Sequence, residues 1–438
     1  MSMLSRIWCS LVALVFVASL SLSAAAEDWP CWRGPRGDGT SLESAAPVEW
    51  DAVKGTNLKW KVPLVGSGHA SPIIQGDRIF LAACLDDQKQ RVLQCLDRST
   101  GKTLWQQTVF TGPLETKHAL NSFASSTPAT DGKLVYVSFL EVDGSTIPAP
   151  NVGTAVRPIT PGKMVVAAYD YEGNRKWLVR PGDFISAHGY CSSPVVFEDL
   201  VIVNGDHDGK SYLVALKRDT GEEAWRVARA HGIRSYCTPL IRTIDGREQL
   251  ILSGSKHILS LNPRDGTQHW KIEGPTEQFV ASMVYDGKLL FMAAGFPTSH
   301  VMGIRPDGQG DVTDTHVAWH ATNAKCYVPS PLVVGNYLLV LDDRGTANCF
   351  VAATGDRLWQ ERLGNHFSNS PITANGLAYL VADDGTTKVI RPGAKLDVVS
   401  QNPLGERCYS SPALAHGCLF IRGEKHLFCI DETKIGGE

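Results

Sequence analysis

Eight short stretches, each just ahead of an apolar run, hold most of the side chains in this sequence that could bind a ligand or handle a proton. They are Gly68-His69, His118 with Asn121-Ser122, His188-Gly189-Tyr190, Arg234-Ser235-Tyr236, Glu277-Gln278-Phe279, Lys325-Cys326-Tyr327, Asn365-His366-Phe367 and Glu406-Arg407-Cys408-Tyr409. Imidazoles, phenols, amides and charged heads that converge on one cavity make a small-molecule or peptide site. The candidate ligand-binding set is His69, Asn121, His188, Tyr190, Arg234, Tyr236, Glu277, Gln278, Lys325, Tyr327, His366, Arg407 and Tyr409.

Other chemistry is poorly provided for. No Gly-x-Ser-x-Gly elbow and no phosphate-cradling glycine loop occurs, so no catalytic residue is assigned. The histidines are scattered without the paired spacing of a zinc helix, and no dedicated metal site is expected. Asp206-His207-Asp208-Gly209 lacks the later ligands of a calcium loop and reads as turn chemistry. Cys84 and Cys95 bracket one hairpin, and Cys418 and Cys429 another at the same separation. Each pair is placed to face across neighbouring strands, as candidate disulfides or as small buried core residues.

Positioning such loops falls to a repeat. Ser71-Pro72, Thr127-Pro128, Ser193-Pro194, Thr238-Pro239, Ser330-Pro331, Ser370-Pro371 and Ser411-Pro412 each open a strand, and Ser282-Met283 fills the one gap. Proline lacks an N–H to donate, so it suits the first residue of a strand. Turn-plus-tryptophan units alternate with these starts, as at Thr220-Gly221…Trp225. A period of roughly 40–66 residues suits four short strands per unit, as in a propeller blade.

The last unit has three strands and no tryptophan strand, while Leu58-Lys59-Trp60-Lys61-Val62 stands alone at the front. An all-β, eight-bladed propeller of four-stranded antiparallel blades follows, with the early strand completing the last blade. In such a ring the eight polar stretches share the face that carries the second-to-third strand connections. The one long insertion, Glu141–Lys163, falls on that same face as a flap.

Asp-x-x-Thr-Gly-x-x-x-Trp, closely matched by Asp97–Trp105, together with the Ser-Pro starts, resembles the PQQ-binding-like β-propeller repeats. Those occur in quinoprotein alcohol dehydrogenases and in BamB, the propeller subunit of outer-membrane protein assembly. The resemblance extends over Leu58–Ile430, and the opening DWPCWRGPRGDG resembles secreted members without an assigned activity. A dehydrogenase of this kind implies PQQ with Ca²⁺, an aspartate base, a tryptophan platform and often a disulfide between adjacent cysteines. This chain has no Cys-Cys pair, and its polar stretches offer Glu277 and Glu406 but neither aspartate nor tryptophan.

Residues 1–26 combine Arg6, an apolar run from Leu11 to Leu22 and three closing alanines, the layout of a cleaved signal peptide. Residues 27–57 read as an extended arm anchored on the body by Trp29, Trp32 and Trp50, residues 58–432 as the propeller, and 433–438 as a tail. A net charge of −3 without a basic cluster excludes a nucleic-acid surface. Past the signal no stretch is long and apolar enough to span a bilayer. The expected protein is a periplasmic or secreted monomer, a binding or scaffold module for an unidentified protein or small molecule. A PQQ-dependent dehydrogenase of alcohols or sugars and a BamB-like assembly factor are the alternatives.

Overall fold

The computed structural model describes residues 26–150 and 158–432. The expected signal peptide, save Ala26, residues 151–157 of the insertion and the tail lie outside them. Eight small sheets form the body, six of four strands and two of five, each with an antiparallel four-stranded core; the blade at the seam is the one whose strands come from both ends of the chain. There Leu58–Pro63 pairs antiparallel with His426–Ile430, Leu58 opposite Ile430 and Val62 opposite Leu427.

Each innermost strand is a sheet edge facing the axis, with backbone donors in need of partners. The hydroxyl of the strand-opening Ser or Thr meets part of that need in the neighbouring blade. Ser71 N–H donates to Thr127 Oγ1, Thr127 to Ser193, Thr238 to Ser282, Ser282 to Ser330, Ser330 to Ser370 and Ser370 to Ser411, all at 2.8–3.0 Å. Ser282, whose unit lacks the proline, still takes its place in this belt.

A second set of bonds joins the blades near the rim. The indole N–H of Trp60, Trp105, Trp177, Trp225, Trp270, Trp319 and Trp359 each donates to a backbone carbonyl of the following blade at 2.7–3.1 Å. For Trp60, Trp105, Trp177, Trp225 and Trp319 the ring then lies against the neighbour's turn glycine. A Cβ on Gly221, already at φ +75°, would sit 2.7 Å from Trp177 Cε3, so both backbone and space exclude a side chain there. The outer strand of the seventh blade, Asp397–Pro403, has no tryptophan. The arm supplies one: Trp50, 3% exposed, packs in the apolar cluster shared by the seventh and eighth blades, held by its backbone N–H, which donates to Asn402 Oδ1 at 3.0 Å, while its indole N–H, unlike those of the other seven, has no acceptor.

The rest of the arm enters the channel from the face opposite the polar loops instead of lying over the body. Trp29 and Ile74 exchange backbone hydrogen bonds at 2.9 Å, and the N–H groups of Thr373 and Ser41 bond Gly39 and Thr373 carbonyls at 2.8 Å. Buried Arg33 donates through Nη2 to the Pro331 and Pro371 carbonyls at 2.8 and 3.3 Å. Gly39, at φ +86°, passes so close that a Cβ would lie 2.9 Å from the Pro371 oxygen.

Two expectations about the hairpins need correction. Its turn at Asp86–Gln88 sets Cys84 opposite Arg91 and Cys95 opposite Phe80, so these cysteines do not face each other. Cys429 lies opposite Phe420, making it a diagonal neighbour of Cys418. All ten described cysteines are free thiols.

Ser370→Ala removes the acceptor of the buried Ser330 N–H and is expected to cost about 1–3 kcal/mol in urea unfolding with an unchanged m value. Ser370→Thr should cost less, and equal stability of Ser370→Ala and the wild type would remove the belt from the energetics.

Candidate functional site

Between the arm and the polar loops the channel widens into a cavity of about 390 Å³. Its sides carry His69, Asn121, His188, Tyr236, Tyr327, His366 and Tyr409 from the expected set, joined by His118, Asp343, Ser368, Asn369 and the hydroxyl belt. Trp32 lines it from the arm.

The aromatic side chains are braced in pairs. The His69 and Tyr409 rings lie 4.7 Å apart, and those of His118 and His188 meet edge-on at 5.5 Å. Tyr236 and Ser186 hydroxyls are 2.9 Å apart, and Tyr327 donates to Gln278 Oε1 at 3.2 Å. Burial raises the pKa of both phenols, that of Tyr327 to about 12, so both stay protonated hydrogen-bonding groups. His366 Nδ1 lies 2.7 Å from Asp383 Oδ2, which also accepts from Ser368 Oγ at 2.8 Å.

The walls are electrically unlike. On one side burial, Arg422 and Lys117 lower the pKa of His69 to about 3. On the other, burial and the adjacent Asp342 hold Asp343 above the usual carboxylate range. Among the described lining residues none is Lys or Arg.

The remaining members of the expected set stand back from the cavity. Tyr190 is buried, its hydroxyl donating to Ser138 Oγ at 3.0 Å. Arg234 is buried in an ion pair with Asp208 at 2.8 Å, and Asp206 pairs likewise with Arg229, so the suspected calcium-like loop anchors two arginines. Gln278 braces Tyr327. Glu277 pairs with Lys256 at 3.2 Å, while Lys325 and Arg407 are exposed. The described part of the insertion pairs Ile147–Pro148 with Pro158–Ile159 and is tied to the second blade's polar loop, where Thr160 and Thr116 exchange bonds at 2.8 and 2.9 Å. None of its described residues lines the cavity.

The family described as outer membrane protein assembly factor BamB matches residues 54–289 and 310–395, well over half of the chain. The chain belongs to this family. A search of curated proteins gives no match. BamB from Moraxella catarrhalis superposes with a TM-score of 0.59 at 13% identity, over 87% of this chain and 99% of that one. A europium-containing methanol dehydrogenase gives 0.57 at 13%, over 92% and 89%. The computationally designed Ika8 protein gives 0.54 at 12%, over 90% and 99%. At such identities the likeness is one of fold.

Within this BamB-family propeller, the sequence located the loops but not the cavity's inner lining. The belt hydroxyls were legible only as strand-start signals and Trp32 only as an anchor of the arm, and Asn369 carried no signal of its own.

His69 gives the site a pH signature. Its unfolded form takes up a proton near pH 6.5 and its folded form near 3. Its contribution to stability is therefore complete above about pH 6.5 and is lost as pH falls toward 3. His69→Gln should flatten the loss of unfolding free energy across that window by about 1 kcal/mol or more, whereas parallel curves for variant and wild type would contradict the assignment.

Proposed function

We propose that this protein is an exported binding propeller whose plugged channel holds one small, uncharged molecule rich in hydroxyl and carbonyl groups, such as a sugar. One observation carries the reading. Asn369 is 3% exposed and lines the cavity, and neither its amide oxygen nor its amide nitrogen has a hydrogen-bond partner. Leaving a buried polar group unsatisfied costs about 1–3 kcal/mol, and a ligand with adjacent donor and acceptor relieves it. The aromatic rings supply flat apolar faces, and the serine and threonine hydroxyls supply further polar contacts. A cavity polarised by His69's cationic neighbours on one side and Asp343 on the other favours an uncharged or dipolar guest over an ion.

The donor set fits a Ca²⁺-bound polycarboxylate quinone poorly. Trp32 would serve as a platform, but among the described lining residues Asp343 is the one carboxylate and none is Lys or Arg. A partner surface is the second reading. It is favoured by Lys325 and Arg407, exposed in the loops that carry Tyr327 and Tyr409, and by membership of a family named for outer-membrane assembly.

Export has its own support. Glu43 is 4% exposed, and its carboxylate is bonded to backbone N–H groups, among them Glu27 N–H at 2.8 Å. Cleavage after Ala26 would turn that N–H into an ammonium facing a buried carboxylate. N-terminal sequencing of the protein from a fractionated expressing cell should find it in the periplasm beginning at Glu27, and an uncleaved chain confined to the cytoplasm would refute export.

For the ligand, thermal-shift titration of the wild type with neutral mono- and disaccharides should raise the Tm for at least one. Asn369→Leu should bind that sugar at least about tenfold more weakly while being no less stable than the wild type. If the wild type responds to none, or if Asn369→Leu binds equally well, the sugar reading fails. Co-purification with outer-membrane assembly components in place of sugar binding would favour the partner surface.

A further inference from the structure

Away from the cavity, on the same face of the ring, three side chains with metal-ligating atoms meet from separate segments. His231 stands in the loop between the third blade's outer strand, Glu223–Ala228, and the fourth blade's inner strand, Leu240–Ile244. His257 opens the fourth blade's third strand, and Glu273 ends its outer strand directly opposite. One ligand atom of each lies within 4.8 Å of the other two. The two imidazoles stack with centroids 4.5 Å apart.

The hydrogen bonds around His257 decide what the cluster needs. Its Nδ1 lies 3.1 Å from the Ser255 carbonyl, which can only accept, so Nδ1 carries the proton of the neutral ring. Nε2 then presents a lone pair to Glu273 Oε2, 3.4 Å away. Two lone pairs at that distance are reconciled either by a proton on Nε2 or by a metal cation between them. With bonds of about 2.1 Å, a separation of 3.4 Å subtends an angle of about 110° at the ion, close to tetrahedral.

The surroundings are built to hold these atoms. Ser255 and Lys256 are both non-glycine residues at positive φ, +50° and +64°, in the tight turn that aims the Ser255 carbonyl at His257. Glu273's other oxygen is held by Lys271 Nζ at 2.6 Å, and Lys271 is held in turn by Asp311 at 3.2 Å. Such outer contacts orient a ligating carboxylate. His231 and Glu273 are exposed, leaving room for water at a fourth position.

We propose that His231, His257 and Glu273 form a binding site for a divalent ion of the zinc class. Two imidazoles and a carboxylate with one open position suit such an ion better than Ca²⁺ or Mg²⁺, which prefer oxygen ligands. The bound ion clamps the loop that leads to Arg234 and Tyr236 onto the fourth blade.

Isothermal titration of the untagged protein with Zn²⁺ tests this, paired with the visible spectrum of the Co²⁺ form. The expected result is one ion per chain with tetrahedral Co²⁺ bands. His231→Ala and Glu273→Gln should each weaken binding about tenfold or more and abolish the bands. His300→Ala, which breaks a second close imidazole pair whose nitrogens are 2.8 Å apart, should change neither. Absence of Zn²⁺ uptake by the wild type, or binding that survives both His231→Ala and Glu273→Gln, would overturn the site.

Discussion

A ring of small sheets must satisfy the backbone of its innermost strands, because each is an edge that faces the axis and not a partner strand. This chain answers with two devices. Strand-opening hydroxyls accept N–H groups from the preceding blade, which ties neighbours together around the channel. The arm then enters from one end and pairs with edge groups that the belt leaves over, in the first blade at Ile74 and in the seventh at Thr373.

The cavity is a consequence of that arrangement. Without the arm the channel would run from face to face. With Trp32 and Arg33 seated in it, it becomes a pocket with one mouth. Burial then separates the chemistry of the groups around it: His69 is kept neutral, the phenols of Tyr236 and Tyr327 stay protonated, and Asp343 is made less acidic. The groups that remain are hydrogen-bonding partners on flat apolar walls, with Asn369 still lacking a partner of its own.

What the sequence made legible follows from locality. A Ser-Pro start, a Thr-Gly turn or an outer-strand tryptophan is encoded within a few residues, and these gave the blade count and the face carrying the polar loops. Features that depend on distant partners were not legible. Trp32 is three residues from Trp29, yet one lines the cavity while the other is buried in the core. The tryptophan absent from the seventh blade is replaced in the shared cluster by Trp50, which reaches it from the distant arm. Among the polar stretches, Arg234 and Tyr190 turned inward because Asp208 and Ser138 lie behind them. The Cys84–Cys95 pairing failed on register, which the hairpin's turn sets and the cysteine spacing does not. His231, His257 and Glu273 have no motif spacing because they come from a loop and two strands.

The central claim is that the arm is a structural part of the channel, as firmly held as the blades. Native-state hydrogen exchange, read by mass spectrometry on peptides spanning Trp29 to Ser41 and on blade strands, addresses it most directly. The account predicts that Trp29 and Ser41 amides exchange only through the same global opening as the strand amides of Ile74 and Thr373. Exchange of the arm peptides at the rate of an unstructured chain, with the blades still protected, would contradict it.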